Sequence, residues 1–292
     1  MPIDPQAGGV SGSVPLVSGI VFGAVAPHGP IAVREACTDD ELELAAATLA
    51  GFEELARRCA STAPETLLVV TPHSAHVDRA MAVVVAARME GAVAGTDGRT
   101  IMLECEIDRE LAALALDGLL DAGVAAVGVS FGGNRRDEAV MPMDWGTLIP
   151  LWHLGARSDP RLRTVVVSPA RDLPAETHVA AGRALAVAAA RSGLRVAFVA
   201  SADHGHAHSP DGPYGYDAAA AQYDELVTRL VEENRLEELV HIDPELVDRA
   251  AADSWWQLLM LHGALGAGWT SDVLSYEAPS YYGMLCAFFE PA

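Results

Sequence analysis

Histidines stand directly behind apolar, strand-like runs at three separate points of this chain. Residues 21–27 lead into His28, residues 67–72 into His73, and residues 196–203 into His204 and His206. In a parallel α/β sheet the carboxyl ends of the strands open onto one crevice, where residues far apart in sequence meet. A shared metal or catalytic site is therefore the leading expectation. His28 lies in Ala-Pro-His-Gly-Pro, where two prolines and a glycine shape the backbone around one imidazole. His73 and His76 lie in Pro-His-Ser-Ala-His. Taken singly, each suits a histidine that closes a strand through a backbone hydrogen bond, and it is the coincidence of motifs that points to a site. Asp203-His204-Gly205-His206-Ala207-His208 is the densest histidine cluster. Its carboxylate can orient an imidazole as a base, although alternating histidines also suit a metal-binding tract or a solvated loop. His153, His178, His241 and His262 have no such setting and read as structural or surface residues.

Two histidines and one carboxylate leave open positions on a non-haem Fe(II), the arrangement that brings a substrate and dioxygen to one metal. Asp253, at the start of a predicted helix 254–265, and Glu277, in Tyr-Glu-Ala-Pro, are both candidates for the carboxylate. An Asp at a helix start is equally well explained as a cap.

The elements that must position these groups read as strands alternating with helices, hence an α/β fold of one domain with a central, largely parallel sheet flanked by helices. Thr38 and Glu41 form a capping-box signature, and apolar residues from Leu42 to Cys59 keep helical spacing. Further strands are predicted at 67–71, 80–89, 101–107, 124–130, 164–168 and 194–201, with a turn at 91–98. Helices are predicted at 108–121, 175–191 and 217–233, and 209–216 reads as a turn-rich loop that could line a pocket. Residues 1–17, rich in Gly, Pro and Ser, read as a flexible arm ahead of a catalytic domain over 18–292.

Composition narrows the function classes. Of 292 residues, 51% are hydrophobic, enough to bury a full core. Forty acidic against nineteen basic residues give a net charge of −21, which repels phosphate backbones and anionic lipid, so neither nucleic acid nor membrane is an expected partner. Four scattered cysteines without a C-x-x-C pair suit a reduced cytoplasm.

The ordered series Ala-Pro-His28-Gly-Pro, Thr-Pro-His73-Ser-Ala-His, Met-Asp144-Trp145-Gly-Thr-Leu-Ile-Pro-Leu, Ala-Ser-Ala-Asp203-His-Gly-His206 and the closing helix 253–265 resembles the class III extradiol dioxygenases. This LigB-like superfamily includes the catalytic subunit of protocatechuate 4,5-dioxygenase and the Memo-like proteins. The resemblance runs from Gly19 to the C-terminus. It implies Fe(II) held by His28 and His73, with Asp253 preferred to Glu277 as third ligand. It also implies His206 as the base, with His204 as runner-up, a pocket including Trp145, His76 and Tyr214, and a small aromatic substrate opened with dioxygen. Homo-oligomerisation is left open. Where ring-cleaving members commonly carry a histidine, this chain has Trp145, which cannot exchange protons and favours an apolar or flat substituent over a carboxylate. That departure keeps in view a Memo-like metal-binding or redox protein without ring cleavage. A zinc-dependent hydrolase would use the same His and Asp residues around an activated water.

Overall fold

Residues 66–70 are all buried, and the segments 163–168 and 195–201 are each buried at all but their first residue. Uninterrupted burial of this kind marks strands covered on both faces, as parallel strands are. The computed structural model describes residues 19–135, 137–155 and 161–292, and the arm expected over 1–17 lies outside them. In chain order the described elements are β1 (Gly19–Ala26), α1 (Asp39–Leu44), α2 (Ala46–Ser61), β2 (Thr66–Val70), β3 (Met81–Val84), β4 (Arg88–Ala94), β5 (Thr100–Glu106) and α3 (Arg109–Asp121). There follow β6 (Ala126–Val129), β7 (Val140–Pro142), α4 (Trp145–Leu154), β8 (Arg163–Ser168), α5 (Ala175–Ser192) and β9 (Arg195–Ser201). The last are α6 (Ala219–Glu232), α7 (Pro244–Arg249), α8 (Trp255–Leu265), β10 (Trp269–Glu277) and β11 (Met284–Pro291).

Eight strands form one sheet in the order β10-β11-β1-β9-β2-β8-β3-β6. Its centre, β1-β9-β2-β8, is parallel throughout, while β11 joins β1 and β3 joins β8 antiparallel. The molecule is thus a single-domain α/β fold with a mostly parallel sheet flanked by helices. The three-stranded sheet β5-β4-β7 stands apart from it. No helix of the described residues is long and apolar enough to cross a membrane.

Local signals explain most of the elements. Thr38 and Glu41 close the expected capping box on α1, the Thr38 N–H donating to Glu41 Oε2 at 2.8 Å. Asp108 caps α3 by accepting from the Leu111 N–H. Three expectations are corrected by the structure. The single helix after Thr38 is broken at Ala45 into α1 and α2, where the backbone leaves helical values (φ −103°, ψ 23°). The single strand at 80–89 is two strands, β3 and β4, in different sheets. Two burial patterns are joined there, four fully buried residues and then the alternation of a half-buried strand. The second pattern carries β4 through to Ala94, so the turn predicted from residue 91 is formed only from Gly95, whose N–H donates to the Arg99 carbonyl.

Helices α5 and α8 touch backbone to backbone. A Cβ on Gly182 would collide with the Met260 carbonyl, and one on Gly263 with the Val179 carbonyl. Glycine at both positions is what lets α5 and α8 approach this closely. Gly263→Ala should therefore lower unfolding stability by about 2 kcal/mol through overpacking, as read from denaturant midpoints. Stability equal to wild type would show that the helices separate without cost.

Candidate metal centre

The carboxyl ends of the four central strands supply, in spatial order, His28 after β1, the turn from Asp203 to His206 after β9, His73 after β2 and Arg171 after β8. Parallel alignment alone brings these segments to one edge. The start of α8 is tied to the same edge by Gln257, whose Nε2 donates to the carbonyls of Ser201 (3.1 Å) and Asp253 (2.6 Å). The Asp253 N–H donates to the His204 carbonyl at 3.3 Å. Ser254, not Asp253, occupies the cap position of α8, and no side chain caps that helix. The Asp253 carboxylate is thereby free to turn toward the histidines.

His28, His73 and Asp253 form a cluster whose ligand atoms all lie within 4.8 Å of one another. His28 Nε2 is 3.1 Å from His73 Nε2 and 3.4 Å from Asp253 Oδ2, and His73 Nε2 is 2.9 Å from the same oxygen. Ligands about 2.1 Å from a common ion and at right angles to each other lie about 3 Å apart. The two nitrogens and one oxygen therefore fit three adjacent positions on a metal, and the donor set suits iron or zinc. Asp253 Oδ2 is buried without a hydrogen-bond partner, as expected of a ligand oxygen.

Neighbouring groups aim these donors. The Ser201 hydroxyl donates to the Gly146 carbonyl, so its oxygen accepts from His28 Nδ1 at 2.9 Å. The His28 Nε2 lone pair then faces the cluster. Asp203 accepts the His28 backbone N–H on Oδ1 at 2.9 Å, with Oδ2 3.5 Å from His28 Nε2. Arg171 Nη2 donates to Asp253 Oδ1, leaving Oδ2 for the histidines. Burial alone would lower the His28 pKa, but Asp203 and then Asp253 outweigh it and hold the ring above its ordinary value. Burial likewise works to raise the Asp253 pKa, yet the neighbouring His28 and His73 imidazoles hold it far below the carboxylate range. Trp145 lies over His73 with ring centroids 4.3 Å apart. Gly146 makes that packing feasible, since a Cβ there would stand 2.7 Å from Thr71 Oγ1 and 3.1 Å from His73 Cδ2.

The two candidate bases differ sharply. His204 is fully buried, with Nδ1 2.6 Å from Ser254 Oγ, itself 2.8 Å from the Tyr223 hydroxyl. Desolvation pushes the His204 pKa down. His206 is half-buried, and its Nδ1 can only donate to the His204 carbonyl, at 2.8 Å, so a neutral ring carries its lone pair on Nε2. Tyr214, Tyr281 and Tyr282 surround His206, with ring centroids 5.7, 5.9 and 5.5 Å away. The turn is fixed from beneath by Asp224, a fully buried carboxylate accepting from the Gly205 N–H (2.7 Å), His208 Nε2 (2.8 Å) and the Tyr276 hydroxyl (2.7 Å).

Other candidates lie elsewhere. Glu277 accepts the Thr48 N–H at 2.7 Å and is not part of the donor cluster. His76 is exposed and is likewise outside it. Tyr214 approaches the site at His206. Sequence reasoning missed Arg171, Ser201, Tyr281 and Tyr282. Arg171 has a sequence signal, because it follows the apolar run 164–168 much as His28 and His73 follow theirs.

Comparison with known proteins agrees with this architecture. Residues 23–287 match the family model described as the catalytic LigB subunit of aromatic ring-opening dioxygenase. A Clostridium acetobutylicum protein, CA_C1420, is 24% identical over 253 residues, covering 86% of this chain and 53% of that protein. This chain thus spans about half the length of the curated relative it matches. The crystal structure of the uncharacterised protein JW3007 from Escherichia coli K12 superposes with a TM-score of 0.56 at 16% identity, covering 92% of this chain and 99% of that one. It shares the fold.

Removing the carboxylate beneath the histidine turn would leave three donors unpaired. Asp224→Ala is expected to cost about 3 kcal/mol of unfolding stability, measured in denaturant. A loss below about 0.5 kcal/mol, the size of a surface change, would mean that the turn is held by other contacts.

Proposed function

Because this chain belongs to the family of the catalytic LigB subunit of aromatic ring-opening dioxygenases, we propose that it is an Fe(II)-dependent extradiol dioxygenase. Its substrate is a catecholic or aminophenolic ring. The observation that carries this reading is the triangle of His28, His73 and Asp253 donor atoms at the strand ends. Fe(II), when bound, supplies the open positions at which the diol and dioxygen are held together.

The chain's own residues do the rest. Ser201 fixes the tautomer of His28, and Arg171 restricts Asp253 to one ligand oxygen. His206 takes the second hydroxyl proton on Nε2, since its Nδ1 is engaged by a carbonyl. His204 is too deeply buried to reach a substrate. Tyr214, Tyr281 and Tyr282 beside His206, and Trp145 against His73, offer flat faces to an aromatic ring. Trp145 contributes no proton.

His28→Ala, His73→Ala and Asp253→Ala should each lose stoichiometric iron by elemental analysis while remaining folded, and Glu277→Ala should keep it. Full iron in both histidine variants would remove the argument. Oxygen uptake against a panel of catechols and aminophenols should yield a ring-opened product containing both atoms of labelled dioxygen, before any exchange at an aldehyde. No uptake at full iron loading under reducing conditions would favour the metal-binding protein without ring cleavage that Trp145 keeps in view.

His206→Gln should retain iron and lose turnover by about 10²- to 10⁴-fold, the usual contribution of a positioned base. An active His206 variant beside an inactive His204 variant would transfer the role to His204.

A further inference from the structure

Helix α8 starts beside Asp253 and ends, eleven residues later and about 16 Å away at about 1.5 Å per residue, against a second cavity. That cavity has a volume of about 480 Å³, within the roughly 300–1,000 Å³ of small-molecule sites. Its walls are tied together. Asn234 Nδ2 donates to the Trp269 carbonyl at 2.6 Å, joining the segment after α6 to the start of β10. The turn from α8 into β10 passes through Gly266 (φ 62°) and Gly268 (φ 87°), and a Cβ on either would meet nothing within 4 Å. Two glycines in the left-handed region thus carry the chain round this opening without filling it.

Three polar groups line the cavity. Arg183 of α5 and Glu237 are exposed, and His262 of α8 is half-buried. Arg183 and Glu237 act on the His262 charge in opposite directions, yet among the described residues neither takes part in an ion pair. Burial pushes the His262 pKa below its ordinary value, with Glu237 working against it and Arg183 with it. The ring is therefore neutral at pH 7 and offers one donor and one acceptor nitrogen. Leu265, Trp269 and Phe289 give the lining an apolar side.

Charge balance selects among ligands. A phosphate group brings nearly two negative charges to a single arginine, with a carboxylate close by and a chain of net charge −21 around it. A zwitterion brings no net charge and has a partner for each end, its carboxylate for the Arg183 fork and its ammonium for Glu237. We propose that this cavity is a binding site for a free α-amino acid with an apolar side chain, which packs against Leu265 and Trp269. No ligand of the metal cluster lines the cavity, so the site stands or falls apart from ring cleavage.

The probes are L-phenylalanine and two analogues that each lack one of its charges, 3-phenylpropionate and phenethylamine. Binding is followed by anaerobic equilibrium dialysis against iron-loaded protein. L-Phenylalanine should bind once per chain with a Kd on the order of 0.1 mM, and each analogue about fivefold more weakly. Arg183→Gln should weaken L-phenylalanine and 3-phenylpropionate and leave phenethylamine unchanged. Glu237→Gln should weaken L-phenylalanine and phenethylamine and leave 3-phenylpropionate unchanged. Both side chains are exposed, so both variants should fold as wild type does. Because amino acids chelate iron, the same titration is run on protein stripped of metal, where L-phenylalanine should bind equally well. A Kd weaker than about 10 mM, affinities untouched by either substitution, or binding that disappears with the metal each overturns the proposal.

Discussion

A carboxylate taken out of water is costly unless positive charge or a metal meets it, and Asp253, only 4% exposed, is placed at the point where two imidazoles converge. The rest of the architecture serves that placement. Gln257 ties the start of α8 to the end of β9, and α8 packs backbone to backbone on α5 at Gly182 and Gly263. Arg171 takes one carboxylate oxygen and leaves the other to the histidines. Asp253 is thereby committed to a single direction.

The histidines are aimed by different means. His28 is buried and held by the Ser201 hydroxyl on one ring nitrogen and by Asp203 at its backbone, so its free nitrogen has one course. His73 is half-exposed and steadied mainly by the Trp145 ring across its face. Side chains oriented in this way would lose little freedom on binding a metal, and outer partners of this kind typically change metal affinity by about 10- to 100-fold. The same crevice is chemically asymmetric. Carboxylates crowd around His28, aromatic rings collect around His206, and the exposed guanidinium of Arg171 stands beside Asp253.

Much of this was legible in the sequence, for a physical reason. Parallel strands buried on both faces must be continuous apolar runs, so they announce themselves, and their carboxyl ends share one edge of the sheet whatever the strand order. His28, His73 and the turn bearing His204 and His206 could therefore be assigned to one crevice from pattern alone, and Asp253 named as one of two candidate carboxylates. Where two periodicities abut, as in β3 and β4, pattern alone joined what the fold separates.

Tertiary structure decided the rest. Asp253 and Glu277 are the same kind of group in sequence, and only packing turns one toward the histidines while the Thr48 N–H occupies the other. His204 and His206 are two residues apart, yet one is sealed among Ser254 and Tyr223 while the other stands among three tyrosines. Arg171 acquires meaning only because β8 lies next to β2 and brings its guanidinium to the carboxylate at the start of α8. Strand identity is a local property carried by hydrophobic periodicity. Which side chains meet at the strand ends depends on strand order and helix packing, contacts between residues far apart in sequence that no local pattern encodes.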